Sequence, residues 1–323
     1  MLNDTVLEVL AKEAIQMEWI LSYMRVVAYN PLLSPLNQAL VYFQNAKSGF
    51  VCGRMAWMAM GREVKSEAIP ITLYLPEIRK KEDGYHTEYG AISVFDISAT
   101  TGETEPKTDR PDIIGRVLSA TGATTELIEK EALPDISIHG VYDKGRNTFF
   151  LEKGTDRQLQ EKTVLTLFIE DYAIAHNIRD MRLVMAVVYA LCLRYDIPND
   201  IHAALFSGLN RYKVEEKIAY LIAVGYLVTN LVKIIDGRTL TFDETAYVNA
   251  LFSTDDKEEM IEIMRAAAFD ATDEMIREGL LSFAEKLSFL PETEFKKLYE
   301  KRMRREVYSY PASPFPIDEA AYM

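Results

Sequence analysis

Cations and flat rings crowd the first third of the chain. Residues 42–81 carry Lys47, Arg54, Arg62, Lys65, Arg79, Lys80 and Lys81, interleaved with Tyr42, Phe43, Phe50, Trp57 and Tyr74. Cations that track phosphates and ring faces that stack on bases are the two ingredients of single-strand binding without strong sequence preference. Asn37 and Gln44 stand seven residues apart, so a helix puts both amides on one face, beside the Leu36/Leu40/Phe43 stripe. Such amides either position bases or satisfy nearby backbone. Trp57 on an apolar helix also reads as core, as does Phe95 on its strand, and Arg62 and Lys65, directly after Gly61, also suit the negative end of a helix. Arg79-Lys80-Lys81, broken up by Glu77, Glu82 and Asp83, reads as a solvated loop.

Hydrolytic chemistry finds no comparable footing. Histidines occur only at 86, 139, 176 and 202, and the sequence contains no His-Glu-x-x-His. Zinc needs about three protein ligands, and two histidines four residues apart on one helical face are what make that motif work. Glu170-Asp171 with His176 is the only local grouping, at spacings of six and five that share a face poorly. There is no phosphate-binding loop, dinucleotide fingerprint or Ser-His-Asp order. No catalytic residue, metal or cofactor is therefore expected. Cys52 and Cys192, far apart and without a CxxC spacing, read as buried apolar fillers.

The balance of the chain is that of a globular protein: 323 residues, 49% hydrophobic and 26% charged, long enough for about two domains. Its net charge of −13 opposes broad attraction to nucleic acid, but the sign is unevenly spread. Residues 1–100 hold 9 basic against 11 acidic groups, whereas residues 251–300 hold 6 against 13. The longest uncharged apolar run, Leu183 to Leu193, is well short of the roughly 20 residues of a spanning helix. The opening MLNDTVLEVLAKEA lacks a basic flank and a cleavage site. A cytoplasmic protein with no membrane partner is the expectation.

The elements that must position these residues follow from periodicity. Val6, Leu10, Ala14, Met17, Leu21, Met24 and Ala28 form the stripe of an opening helix. Ser34-Pro35 reads as a cap and first turn of a helix through Gln44, with another helix over Val51–Met60 up to Gly61. Strands are expected at 69–75 and 91–97, then around 137–141 and 148–152. Helices follow at 156–176, 180–195, 214–235, 256–269, 271–288 and 292–307. The charged, turn-rich run TTGETEPKTDRPD at 100–112 reads as a linker. The fold class is thus α+β: N-terminal helices on a small antiparallel sheet (1–112), a mainly helical domain (113–307) and an extended, proline-rich tail (308–323).

The stretch SPLNQALVYFQNAKSGFVCGRMAWMAMGREVKSEAIPITLYLP at 34–76, with VFDISAT at 94–100, resembles the N-terminal domain of ArdC-type antirestriction proteins and LtrC-like proteins of conjugative elements. Ser34, Asn37, Gln44, Trp57, Gly61, Arg62, Lys65, Phe95, Asp96, Ser98 and Thr100 carry the likeness. Glu67 and Ala99 depart from the pattern, which usually has Lys-Gly and Gln there. The resemblance implies single-stranded DNA as partner, with Asn37, Gln44, Lys47, Arg54, Trp57, Arg62 and Lys65 as candidate contacts.

Residues 139–173 and 185–197 resemble the zincin metallopeptidase part of LtrC-like proteins, with its ligands missing. Thr166, Leu167 and Glu170, or in a shifted alignment Ile169, Glu170 and Ala173, stand where His, Glu and His belong, and Met185 stands near the acidic third ligand. The resemblance therefore implies a degenerate zincin-like domain without peptidase activity, serving as scaffold or as a surface for a protein partner. The leading expectation is an antirestriction-like, single-stranded-DNA-binding accessory protein of a mobile genetic element. An interaction scaffold, an acidic DNA mimic and a metallopeptidase with a non-standard site are the competitors.

Overall fold

A computed structural model describes residues 18–82, 84–102, 111–135, 137–201, 203–237, 254–270 and 274–306. The tail at 308–323, the first half of the expected opening helix and most of the expected linker lie outside them. The described part of the opening helix is α1, Glu18–Tyr29, and α2 is Pro35–Gln44. Ser34 caps α2 by accepting a hydrogen bond from the Asn37 N–H, and proline at the first turn gives up no needed donor.

The segment expected as one helix from Val51 divides. Val51–Cys52 form β1, and only Arg54–Ala59 form the helix α3. Pairing with a strand more than 40 positions later overrides local helix propensity here: Val51 lies opposite Asp96 and Cys52 opposite Phe95. Two long strands, β3 (Ile71–Lys81) and β4 (Gly84–Asp96), make an antiparallel hairpin, and β1-β4-β3 is the order of the sheet. Arg79, Lys80 and Lys81 therefore sit in its strand and not in a loop. A short pair, β2 (Glu63–Val64) with β5 (Thr100–Thr101), lies beside it.

Beyond residue 112 come α4 (Ile113–Thr121) and a second sheet of β6 (Thr124–Ile128), β7 (Gly140–Asp143) and β8 (Thr148–Glu152). Its order is β6-β8-β7, with β6 parallel and β7 antiparallel to β8. The helices α5 (Arg157–Ala175), α6 (Met181–Arg194) and α7 (Val214–Ile235) follow, then α8 (Lys257–Asp270), α9 (Glu274–Phe289) and α10 (Glu292–Glu306). Asp156 and Asp180 cap α5 and α6 through the N–H groups of Leu159 and Arg182. The class is α+β, with an N-terminal antiparallel sheet and a helical C-terminal region.

The largest buried cluster runs from Ile20 to Ile235 and so spans the expected boundary at 112. Tyr23 on α1 donates to the Leu221 carbonyl of α7 at 3.0 Å, and Thr229 of α7 donates to the Pro31 carbonyl at 2.8 Å. Helix α7 is long and apolar enough to cross a membrane by length and composition, at a mean hydropathy of 1.9, but 61% of that window is buried in the fold. Where α6 and α7 end, beside the first turn of α4, Asp236 accepts from Arg116 at 2.7 Å, Arg194 at 2.8 Å and the Tyr195 hydroxyl at 3.1 Å. Met260, Met264, Ala284, Leu287 and Phe295 center a second cluster on α8, α9 and α10, against which Tyr85 of the hairpin packs.

Candidate nucleic-acid interface

Helix α3 is two-faced. Ala56 and Trp57 are buried, while Arg54, Met55 and Met58 point outward. Trp57 is 1% exposed, meets Phe50 edge to face and donates its indole N–H to the Phe95 carbonyl at 2.9 Å. Its ring is therefore a peg of the small core formed with Cys52, Val64 and Phe95, and offers no stacking face.

After α3 the chain reverses at Gly61, whose φ of 72° lies in the left-handed region that favors glycine. The turn delivers Arg62 to β5, where its Nε donates to the Thr100 hydroxyl at 2.7 Å. Lys65 follows, with its Nζ on the Ser98 carbonyl at 2.8 Å. Arg54 lies over the Phe95 ring at 5.0 Å, and Arg62 lies 6.0 Å from the Trp57 centroid. Both guanidiniums are thereby held by ring faces and neutral oxygens. Among the described residues neither they nor Lys47 form an ion pair with a carboxylate, and Lys65 is attracted to Glu67 without a direct contact.

Between these groups lies an open groove of about 550 Å³, lined by Arg54, Met58, Arg62, Glu63, Thr101 and Gly102. Gly102 permits the close approach of its far wall, because a Cβ there would stand 2.8 Å from the Gly61 carbonyl oxygen. Glu63 adds one negative charge at the rim. Glu67, the departure from the expected pattern, is turned to its own N–H and the Ser66 hydroxyl, which hold its carboxyl below the usual range. Neither Lys47, exposed on the loop after α2, nor Lys65, held on the Ser98 carbonyl, is among the groove's lining residues.

The two amides have a different task. Asn37, 1% exposed, donates to the Tyr74 carbonyl at 2.8 Å and accepts from the Tyr74 N–H at 3.0 Å. Gln44 repeats the pattern on Thr72, with both bonds at 2.8 Å. Both satisfy the outer edge of β3 and are spent on backbone, which corrects the expectation that they face bases. Of the five interleaved rings, Tyr42, Phe50 and Trp57 are buried and only Phe43 and Tyr74 are half-buried. The hairpin cations are paired: Arg79 and Lys81 with Glu88, and Lys80 with Glu259.

Thr166, Leu167 and Glu170 lie on α5 and Met185 on α6, so the expected ligand positions offer a single carboxylate. Burial pushes the Glu170 carboxyl above the usual range. His176 stacks on Tyr172, with its Nδ1 at 2.8 Å from the Tyr172 carbonyl. His139 is engaged elsewhere, its Nδ1 at 2.7 Å from Glu152, which also accepts from Lys130. Among the described residues no three His, Cys, Asp or Glu side chains come together to hold an ion, and this donor set does not fit a zincin metal.

Sequence reasoning missed the groove's far wall, because Thr101-Gly102 carries the composition of a linker, and it missed exposed Met55 and Met58. The helical spacing of the methionines relative to Trp57 was the available signal.

No protein-family model matches the chain, and no curated protein matches its sequence. Solved structures similar in fold to part of it include two of the antirestriction ArdC protein from the R388 plasmid. The Mn(II)-bound form has a TM-score of 0.41 and 9% identity over 69% of this chain and 98% of that one. The metal-free form has a TM-score of 0.40 and 11% identity over 64% and 85%.

Proposed function

We propose that the chain is a non-enzymatic accessory protein that binds single-stranded DNA, with antirestriction as its role in a mobile element. The observation that carries this reading is the pair of guanidiniums, Arg54 and Arg62, facing one open groove without a carboxylate partner among the described residues. Arginines fixed by rings and hydroxyls are preorganized for phosphate oxygens, and the adjacent Met58 supplies apolar surface for a base or sugar. The motif likeness at 34–76 and 94–100 supports the same reading. Arg54 and Arg62 are the contacts it requires, with Lys65, three residues after Arg62, as a further cation outside the groove's lining. Asn37, Gln44 and Trp57 support the scaffold beneath them. Protection from restriction would then come from occupancy of the entering strand, and the absence of a second and third ligand beside Glu170 supports a protein without peptidase chemistry.

Fluorescence anisotropy with labelled oligonucleotides tests this reading. Binding that weakens steeply with salt, and that weakens in Arg54→Gln and Arg62→Gln, is the expected result. A flat titration at low ionic strength would remove it. Capture of a restriction enzyme without any oligonucleotide binding would favor the acidic-mimic competitor instead.

A further inference from the structure

β6 lies at the edge of its sheet and pairs with β8 alone. The register determines which main-chain groups look away from that sheet. Thr124 donates its N–H to the Asn147 carbonyl at 3.0 Å, and the Ile128 carbonyl accepts from the Lys153 N–H at 2.8 Å. In a parallel ladder the N–H and C=O of one residue point the same way and alternate along the strand. Thr124, Glu126 and Ile128 therefore bond inward, while Thr125 and Leu127 turn both main-chain groups outward. Among the described residues nothing meets those four groups.

The side chains sharpen the picture. Thr125 and Leu127 lie beside Phe149 and Leu151, which are 1% and 2% exposed and belong to the main core. Paired residues share a face, yet Leu127 is 56% exposed. The apolar layer thus runs out to the edge strand, where nothing among the described residues covers it. On the opposite face Glu126 stands exposed, 3.5 Å from Arg146.

We propose that β6 accepts one further strand, an extended segment of another protein, with apolar residues at alternate positions over Leu127 and a basic residue opposite Glu126. Unpaired edge groups recognize a strand by its backbone, and the alternating faces supply specificity. A second copy of this chain fits poorly. Antiparallel pairing of two β6 strands with Thr125 opposite Leu127 sets Glu126 against its own counterpart, like charges directly opposed. Slipping the register by two residues to part them leaves either Leu127 opposite Ala123 or Thr125 opposite Glu129, in both cases a partner outside the strand.

The probe is a capped hexapeptide, acetyl-Val-Thr-Val-Lys-Val-Thr-amide, added to the full chain while amide hydrogen exchange is followed by NMR. The Thr125 and Leu127 amides should slow by about tenfold or more, with Thr124 and Glu126, already bonded inward, little changed. Leu127→Pro deletes one outward donor at an edge position that tolerates proline and should abolish that protection. Should that variant fold poorly, Glu126→Lys tests the same edge by switching preference to the probe with Glu in place of Lys. Absence of protection at millimolar peptide would overturn the proposal. So would slow exchange at Thr125 and Leu127 without peptide together with a dimer in sedimentation equilibrium, which would assign the edge to a second copy.

Discussion

Asn37 treats Tyr74 as a neighboring strand would, closing both main-chain bonds of that residue with one side-chain amide. Gln44 does the same for Thr72, so a helix stands in for the missing strand along the edge of β3. Asn37→Ala leaves two part-buried main-chain groups unsatisfied and should cost about 2–3 kcal/mol in urea unfolding. Gln44→Ala, at a more exposed site, should cost about 1 kcal/mol, because water replaces the amide.

Trp57→Phe separates a core residue from a stacking platform. It removes the bond to the Phe95 carbonyl and some volume, so stability should fall by about 1–3 kcal/mol. Oligonucleotide affinity, measured well below the melting temperature, should stay unchanged. A stacking role would instead lower affinity about as much as stability.

Asp236 gathers Arg116, Arg194 and the Tyr195 hydroxyl at a junction of three helices, and Arg194 is almost wholly buried. Asp236→Ala strands a buried guanidinium, for which about 3–5 kcal/mol is the expected loss. Asp236→Asn keeps one acceptor and should lose less. Thermal denaturation of the two variants orders them.

Charge count sets the salt dependence of binding. Each phosphate contact on a single strand contributes about 0.7 to the slope of log affinity against log salt, so Arg62→Ala with Lys65→Ala should flatten it by about 1.4. An unchanged slope would return both residues to the role of helix-end and backbone partners. Lys47→Ala, away from the groove, should change the slope least.

Glu170 carries a pH signature. Burial raises its carboxyl above the unfolded value, so ionization in the folded chain is unfavorable. The penalty is absent below the unfolded value, near about 4.3, and grows as pH rises through the folded one. Glu170→Gln should therefore be more stable than the parent at neutral pH, with the difference closing in acid. Urea titrations at several pH values between 3 and 8 would display the convergence, and a gap independent of pH would contradict it.

What could be read from the sequence divides along physical lines. Helices α5, α6 and α7 were legible to within a residue or two because each buries a stripe against its neighbors, and burial is what periodicity reports. β6 was not legible: Thr124 to Leu127 are exposed on both faces, so no alternation marks the strand. The clustering of Arg54, Arg62 and Lys65 was visible from spacing around a glycine turn. The true occupation of Asn37 and Gln44 was not, since their partners lie 37 and 28 positions downstream. The apolar length of helix α7 is masked in the sequence because Thr229 and Asn230 interrupt it.

Tyr85 and Glu259 are hydrogen-bonded across 174 positions of chain. Closing so wide a loop carries a large entropic toll before any contact rewards it, whereas the hairpin and the C-terminal helices each zip up from near neighbors. The topology thus prescribes an itinerary: two locally assembled pieces mature separately, and their meeting at the hairpin tip comes late. A newly made chain would then keep the helices of residues 257–306 undocked until the hairpin of residues 71–96 had found its shape.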